Sequence, residues 1–177
     1  MVTSVPTHLM NDASRLPRLR RRSIVAMKPE LELIFELHGK LEPTVVVGPT
    51  PEGLKRVVPI AGGQFSGPRM RGTIVPGGAD WQYVRADEVT VVEARYLLRT
   101  DDDVLIEVHN RGLRHGPPET MRRLAAGETV DPAEYYFRAA PSLSAPAGRY
   151  EWVNRSLFLC SGARFTSGIT LWVYQVL

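Results

Sequence analysis

Gly67-Pro-Arg-Met-Arg-Gly-Thr-Ile-Val-Pro-Gly-Gly-Ala-Asp-Trp81 sets the reading of this 177-residue chain. Arg71–Val75 reads as a short strand. Pro76-Gly77-Gly78 reads as a turn, because proline fixes one dihedral and glycine tolerates positive φ. Asp80-Trp81 then opens the next strand. A carboxylate beside a large aromatic, just past a tight turn, suits the wall of a ligand pocket. It also suits, and more commonly, an aspartate that hydrogen-bonds its own turn beside a core tryptophan.

Outward from that stretch, short strand patterns continue on both sides. Leu31-Glu-Leu-Ile-Phe-Glu-Leu37 alternates, with Leu31, Leu33, Phe35 and Leu37 on one face and Glu32 and Glu36 on the other. This is the period of a half-buried strand. Thr44–Val47 and Arg56–Ile60 are β-branched runs separated by the loop signal Gly48-Pro-Thr-Pro-Glu-Gly53, and 61–67 reads as a flexible or bulged strand. Glu88–Arg99 is the longest strand candidate and pairs as a hairpin with Val104–Asn110 across Asp101-Asp-Asp103. Neither face of Glu88–Arg99 is cleanly polar, as expected where a barrel encloses a mixed interior. Tyr135–Ala140, Arg155–Ser161 and Ile169–Val176 complete the strands. One helix is expected over Pro117–Gly127, opened by prolines, with Glu119 at its positive end, and able to cover one barrel end. Short strands with frequent Gly/Pro turns predict an all-β fold. The expected form is a closed or nearly closed, calycin-like antiparallel barrel of about nine to ten strands.

The same residues resemble a known family. Gly67–Gly72 and Pro76–Trp81 are followed by Glu93-Ala-Arg-Tyr96, Asn110–Gly116, Tyr135-Tyr-Phe-Arg138 and Trp152–Phe158. In that order they are similar to the family called domain of unknown function 3237, also uncharacterised protein family 0311. The resemblance runs from about Pro29 to Leu177. It implies a compact, mostly antiparallel barrel and little about activity. Glu93 departs from it, standing where the family more often has Asp.

Composition narrows the function. The apolar share of 44% and charged share of 23% suit a soluble globule, and one domain is expected over 27–177. Residues 1–26 read as a disordered tail, with Met27 as an alternative translation start. Five arginines and one acid give residues 1–23 a net +4, so the overall +3 leaves −1 for the remainder. A folded part that is not basic argues against a nucleic-acid partner. No apolar run approaches twenty residues, so no membrane partner is expected. The single cysteine, Cys160, follows an apolar run, reads as a buried thiol and fits a cytoplasmic location. His8, His38, His109 and His115 lack metal-ligand spacing, and no phosphate loop or nucleophile elbow occurs, so no metal and no cofactor is assigned.

What remains is polar residues on strands that read as buried. Asp80 is expected to move a proton, Arg95 to hold a developing oxyanion and Tyr136 to donate to it. Arg71, Trp81, Asn110, Arg111, Arg138, Trp152 and Asn154 are expected to line the ligand site, with the tryptophans as its walls. The partner is then a small hydrophobic molecule: a carbonyl or polyketide-like substrate of a lyase, isomerase or cyclase. The alternatives are a non-catalytic carrier of an apolar molecule, or a filled barrel in which Glu93 and its neighbours form a structural network. A homo-oligomer is compatible with the sequence.

Overall fold

A computed structural model describes residues 26–166 and 168–177. The tail expected over 1–26 therefore lies outside the described residues, apart from Ala26. Nine strands follow: β1 (Leu31–Leu41), β2 (Val45–Thr50), β3 (Gly53–Ser66), β4 (Gly72–Val84), β5 (Thr90–Thr100), β6 (Leu105–His115), β7 (Tyr136–Ser144), β8 (Phe158–Phe165) and β9 (Gly168–Val176). All pair antiparallel, in the order β1-β9-β8-β7-β6-β5-β4-β3-β2. β3 also pairs with β1, from Glu36–Ser66 to Leu41–Ile60, and this closes an eight-stranded barrel. The other half of the same β3 edge, Gly53–Val57, takes β2. β2 is thus an extra strand, a lip on the barrel mouth with Val45, Val46 and Val47 exposed.

Two features depart from simple alternation. Within β1 the register shifts between Leu33 and Phe35, and the adjacent Ile34 and Phe35 are both buried while Leu31 is 53% exposed. The extra residue of a β-bulge turns the first half of the strand over, so the four apolar residues do not share a face. Pro76-Gly77-Gly78 is not a turn. β4 runs through it, and its register shifts between Val75 and Ala79 against β5. A second bulge lies beside it in β3, between Pro59 and Gly63. Gly77 takes φ 103°, and Gly78 lies so close to β5 that a Cβ there would stand 2.6 Å from the Arg95 carbonyl oxygen. Proline and glycine are needed for a bend within a continuous strand.

The barrel is packed at one end and open at the other. Near the β5–β6 hairpin, Phe35, Phe65, Leu98, Ile106 and Phe158 fill the interior, with Phe35 and Phe65 edge to face at 5.2 Å. A 3₁₀ turn, Glu151–Arg155, inserts Val153 beneath them. Each such side chain contributes about 1.5–3 kcal/mol by leaving water. At the opposite end sits α1 (Pro118–Ala125), the one helix expected. Proline occupies its first turn, Glu119 its positive end, and Arg122 and Arg123 its last turn. Thr120 and Leu124 turn inward. Gly127, at φ 82°, ends the helix, and its carbonyl accepts from the Thr166 hydroxyl at 2.6 Å.

Candidate functional site

Between the packed base and α1 lies a lumen of about 450 Å³. This is within the size range of small-molecule sites. Apolar walls come from Val58, Ile60, Phe137 and Leu171, with Met121 and Leu124 of α1 above. Side chains alternate across each strand, so every second residue faces in. On β4 these are Asp80 and Gln82, on β6 Asn110 and Arg114, on β5 Thr90 and Tyr96, on β3 Arg56, and on β8 Arg164.

These polar groups form a directed chain. Arg56 pairs with Gln82 across β3 and β4. Its Nε–H donates to Gln82 Oε1 at 2.9 Å, and the Gln82 amide donates onward to Asp80 Oδ2. Asp80 Oδ1 accepts the Glu93 backbone N–H at 3.0 Å. The carboxylate borders the lumen, and its desolvation pushes its pKa above the ordinary carboxylate value. Gln82, Arg114, the Glu93 amide and Arg56 pull in the other direction. Tyr96 stays a phenol, its pKa driven far up by burial. Arg114 is 7% exposed, lies 5.6 Å from the Phe137 ring centroid, and its Nε has no hydrogen-bond partner among the described residues. Burial pulls its pKa down to about 10. Asn110 is buried beside Cys160, with Nδ2 3.7 Å from Sγ, and burial pushes that thiol up to about 11.

The structure separates the residues expected at the site. Asp80 and Asn110 line the lumen. Arg95, with its side chain 63% exposed, stands on the outer wall with Arg111 and His109 around Glu93. Tyr136 is 45% exposed, stacks on His115 and lies under Arg138, also outside. Trp81, 50% exposed, follows Asp80 and so points away from it. Arg71 pairs with Asp101 on the surface. Trp152 packs on Phe158 at the base, under Arg69, and Asn154 clips the backbone of Ala145 with two hydrogen bonds. The convergence expected of Arg95, Tyr136 and Arg138 on the lumen is therefore not observed. Those side chains occupy the alternate, outward positions of their strands. Arg56, Gln82, Tyr96, Arg114 and Arg164 take their place. Counting by twos from Asp80 and from Asn110 reaches Gln82 and Arg114; nothing in the sequence marks Arg56 or Arg164.

No group of three or more metal-ligating side chains occurs among the described residues, and no described helix is long and apolar enough to cross a membrane.

Residues 29–176 match the model of a family described as Protein of unknown function (DUF3237). A UPF0311 protein of Rhodopseudomonas palustris is 37% identical over 153 residues, spanning 85% of this chain and 100% of its own. One from Clostridium acetobutylicum is 32% identical over 146 residues, spanning 82% and 92%. A crystal structure from R. palustris, described as a conserved protein of unknown function, superposes with a TM-score of 0.83 at 35% identity, over 86% of this chain and 100% of that one. A β-barrel-like protein from Acinetobacter baumannii gives 0.76 at 33%, over 87% and 99%. A protein from Penicillium herquei described as an enzyme gives 0.65 at 19%, over 86% and 98%, a likeness of fold alone.

Proposed function

The chain belongs to the DUF3237 family, and from that premise we propose that it is an acid–base enzyme working in its barrel lumen: a lyase, isomerase or cyclase on a hydrophobic carbonyl compound. One observation carries this reading. Below the rim, where Glu88 is exposed, the lumen lining carries one carboxylate, Asp80, desolvated, aimed at the cavity and surrounded by cations. A carboxylate with a raised pKa is a stronger base than an exposed one, and acid–base catalysis is most efficient when that pKa lies near the working pH.

The chemistry needs no group beyond these residues. An Asp80 oxygen takes the proton from a carbon next to the substrate carbonyl. The C–H electron pair becomes the enolate double bond, and the carbonyl pair moves onto oxygen. Arg56, tied to Asp80 through Gln82, stabilises that oxyanion in a site where burial strengthens the attraction, and Tyr96 offers a hydroxyl. Asp80, now neutral, returns its proton to another carbon for an isomerase, or to a departing group for a lyase. If the enolate instead closes on an electrophile in the same molecule, the product is a ring. That a barrel of this fold in P. herquei is described as an enzyme is compatible with catalysis here and says nothing of the reaction.

The test uses octan-2-one, whose protons next to the carbonyl exchange slowly in D₂O. Wild-type protein should accelerate their loss from the proton NMR spectrum. Asp80→Asn should lower that rate by about 10²–10⁴-fold while remaining folded. Equal exchange by both proteins would overturn the assignment. Binding of the ketone without exchange would make the protein a carrier.

A further inference from the structure

Three arginines share the lumen with one carboxylate. Arg56, Arg114 and Arg164 come from β3, β6 and β8, and all three line the same cavity as Asp80. Arg56 lowers the pKa of both Arg114 and Arg164, and Arg164 lowers that of Arg114, so they sit within electrostatic reach of one another, after the larger effect of burial. Among the described residues none of the three forms an ion pair with a carboxylate. Arg56 spends its Nε on Gln82. Among the described residues the Arg164 side chain donates only to the Gly168 carbonyl, at 3.4 Å. The Nε of Arg114 is buried and unpartnered. The other charges of the lining do not change this: Arg122 is held by Glu119, and Glu88 is exposed at the rim.

Buried cations are costly unless an anion meets them. Arg114 is buried and Arg56 and Arg164 are half-buried, and with Asp80 ionised the three leave the lumen wall two positive charges in excess. We infer that the missing partner is the substrate's own carboxylate, seated on Arg114 and Arg164, so that the lumen takes a hydrophobic carboxylic acid. This rests on the acid–base reading and adds to it the substrate class. The charges then agree with the chemistry. When Asp80 takes a proton, the negative charge it loses appears on the substrate enolate, and the carboxylate remains fixed. Three cations thus face two negative charges before and after the transfer.

Carboxylate is favoured over phosphate. The planar guanidinium fork suits both anions, so the backbone around the site decides between them. Phosphate sites add backbone N–H donors from a helix N-terminus, and here Pro117 and Pro118 have none to give at α1. The apolar body would lie along Val58, Ile60 and Leu171.

Calorimetric titration of the full chain with octanoate, octan-1-ol and octyl phosphate tests this. Octanoate should bind about tenfold or more tightly than octan-1-ol, the gain of a charge-assisted contact. Arg114→Gln should erase that preference to within about threefold and leave octan-1-ol binding nearly unchanged. Arg164→Gln, at a more open position, provides the same test should Arg114→Gln not fold. Equal affinity for octanoate and octan-1-ol in wild type, or a preference that survives both substitutions, overturns the inference. So does octyl phosphate binding tenfold tighter than octanoate. Failure here with Asp80-dependent exchange of octan-2-one intact would leave the acid–base reading standing. Loss of that exchange with octanoate still bound would remove the acid–base reading instead.

Discussion

Replacing Gln82 with methionine breaks the chain that links Arg56 to Asp80 without emptying the space between them. Gln82 is 5% exposed, and both ends of its amide are used: Oε1 on Arg56 and Nε2 on Asp80. Methionine is similarly long and unbranched, so the cavity contribution to the cost is small. Two charged groups lose a buried partner, each worth about 1–3 kcal/mol. Arg56 and Asp80 can shift towards one another and recover part of it. The expected loss is about 2–4 kcal/mol, or roughly 5–15 °C in Tm for a barrel of this size. A second effect follows at Asp80. Burial raises its pKa, and the Gln82 hydrogen bond is the largest influence opposing that rise. Without it the carboxyl keeps its proton to higher pH, so the acid limb of ketone exchange moves upward. Urea unfolding at neutral pH and a pH–rate profile for octan-2-one read the two effects separately. A variant within about 0.5 kcal/mol of wild type, with an unmoved limb, would refute the idea that this chain supports the carboxylate.

Gly77→Ala and Gly78→Ala should both destabilise the β4 bulge, for different reasons. A Cβ added at Gly77 meets no neighbour within 4 Å, but the residue must hold φ 103°, a strain of roughly 1–3 kcal/mol. A Cβ added at Gly78 strikes the Arg95 carbonyl oxygen and Tyr96 Cβ, both at 2.6 Å, and should cost more, which urea melts of the two variants will show. The raised pKa of Asp80 also has a sign in stability. Its protonated form favours the fold, so this group's contribution is complete below the ordinary carboxylate pKa of 3.8 and is lost as pH rises through the elevated value. That slope should be missing from Asp80→Asn when unfolding free energies are compared from about pH 4 to 8. On the outer wall, Arg95→Gln and Tyr136→Phe should each leave ketone exchange within about twofold of wild type and change stability by less than about 1 kcal/mol, as exposed pairs do.

The barrel was legible because its strands declare themselves separately. β5 and β6 carry a turn between them and pair as expected. Bulges were less legible. Pro76-Gly77-Gly78 needs positive φ in a turn and in a bulge alike, and only the β5 partner tells the two apart. The site was half legible for a related reason. Asp80 and Trp81 are neighbours, as are Asn110 and Arg111, and neighbours on a strand face opposite sides. One member of each pair had to lie outside. On β5 the more polar face, Glu93 and Arg95, reads as the interior, but polarity is also what water selects on an outer wall. The interior face, Val92-Ala94-Tyr96, looks like core because most of a ligand cavity is apolar. Arg56 and Arg164 sit in short runs where parity alone cannot fix which side is enclosed.

Cys160 gives the molecule a built-in clock. It is the only cysteine in the chain, it packs within the barrel core beside Asn110 of the lumen, and its thiol is both buried and held protonated. A thiol reagent in solution can reach it only when the packing around it opens. The rate of labelling under native conditions therefore reports how often the barrel breathes open. A molecule that binds the closed barrel alone must slow that rate by the factor 1 + [L]/Kd. Labelling kinetics can then rank candidate ligands for this lumen before any reaction they undergo has been identified.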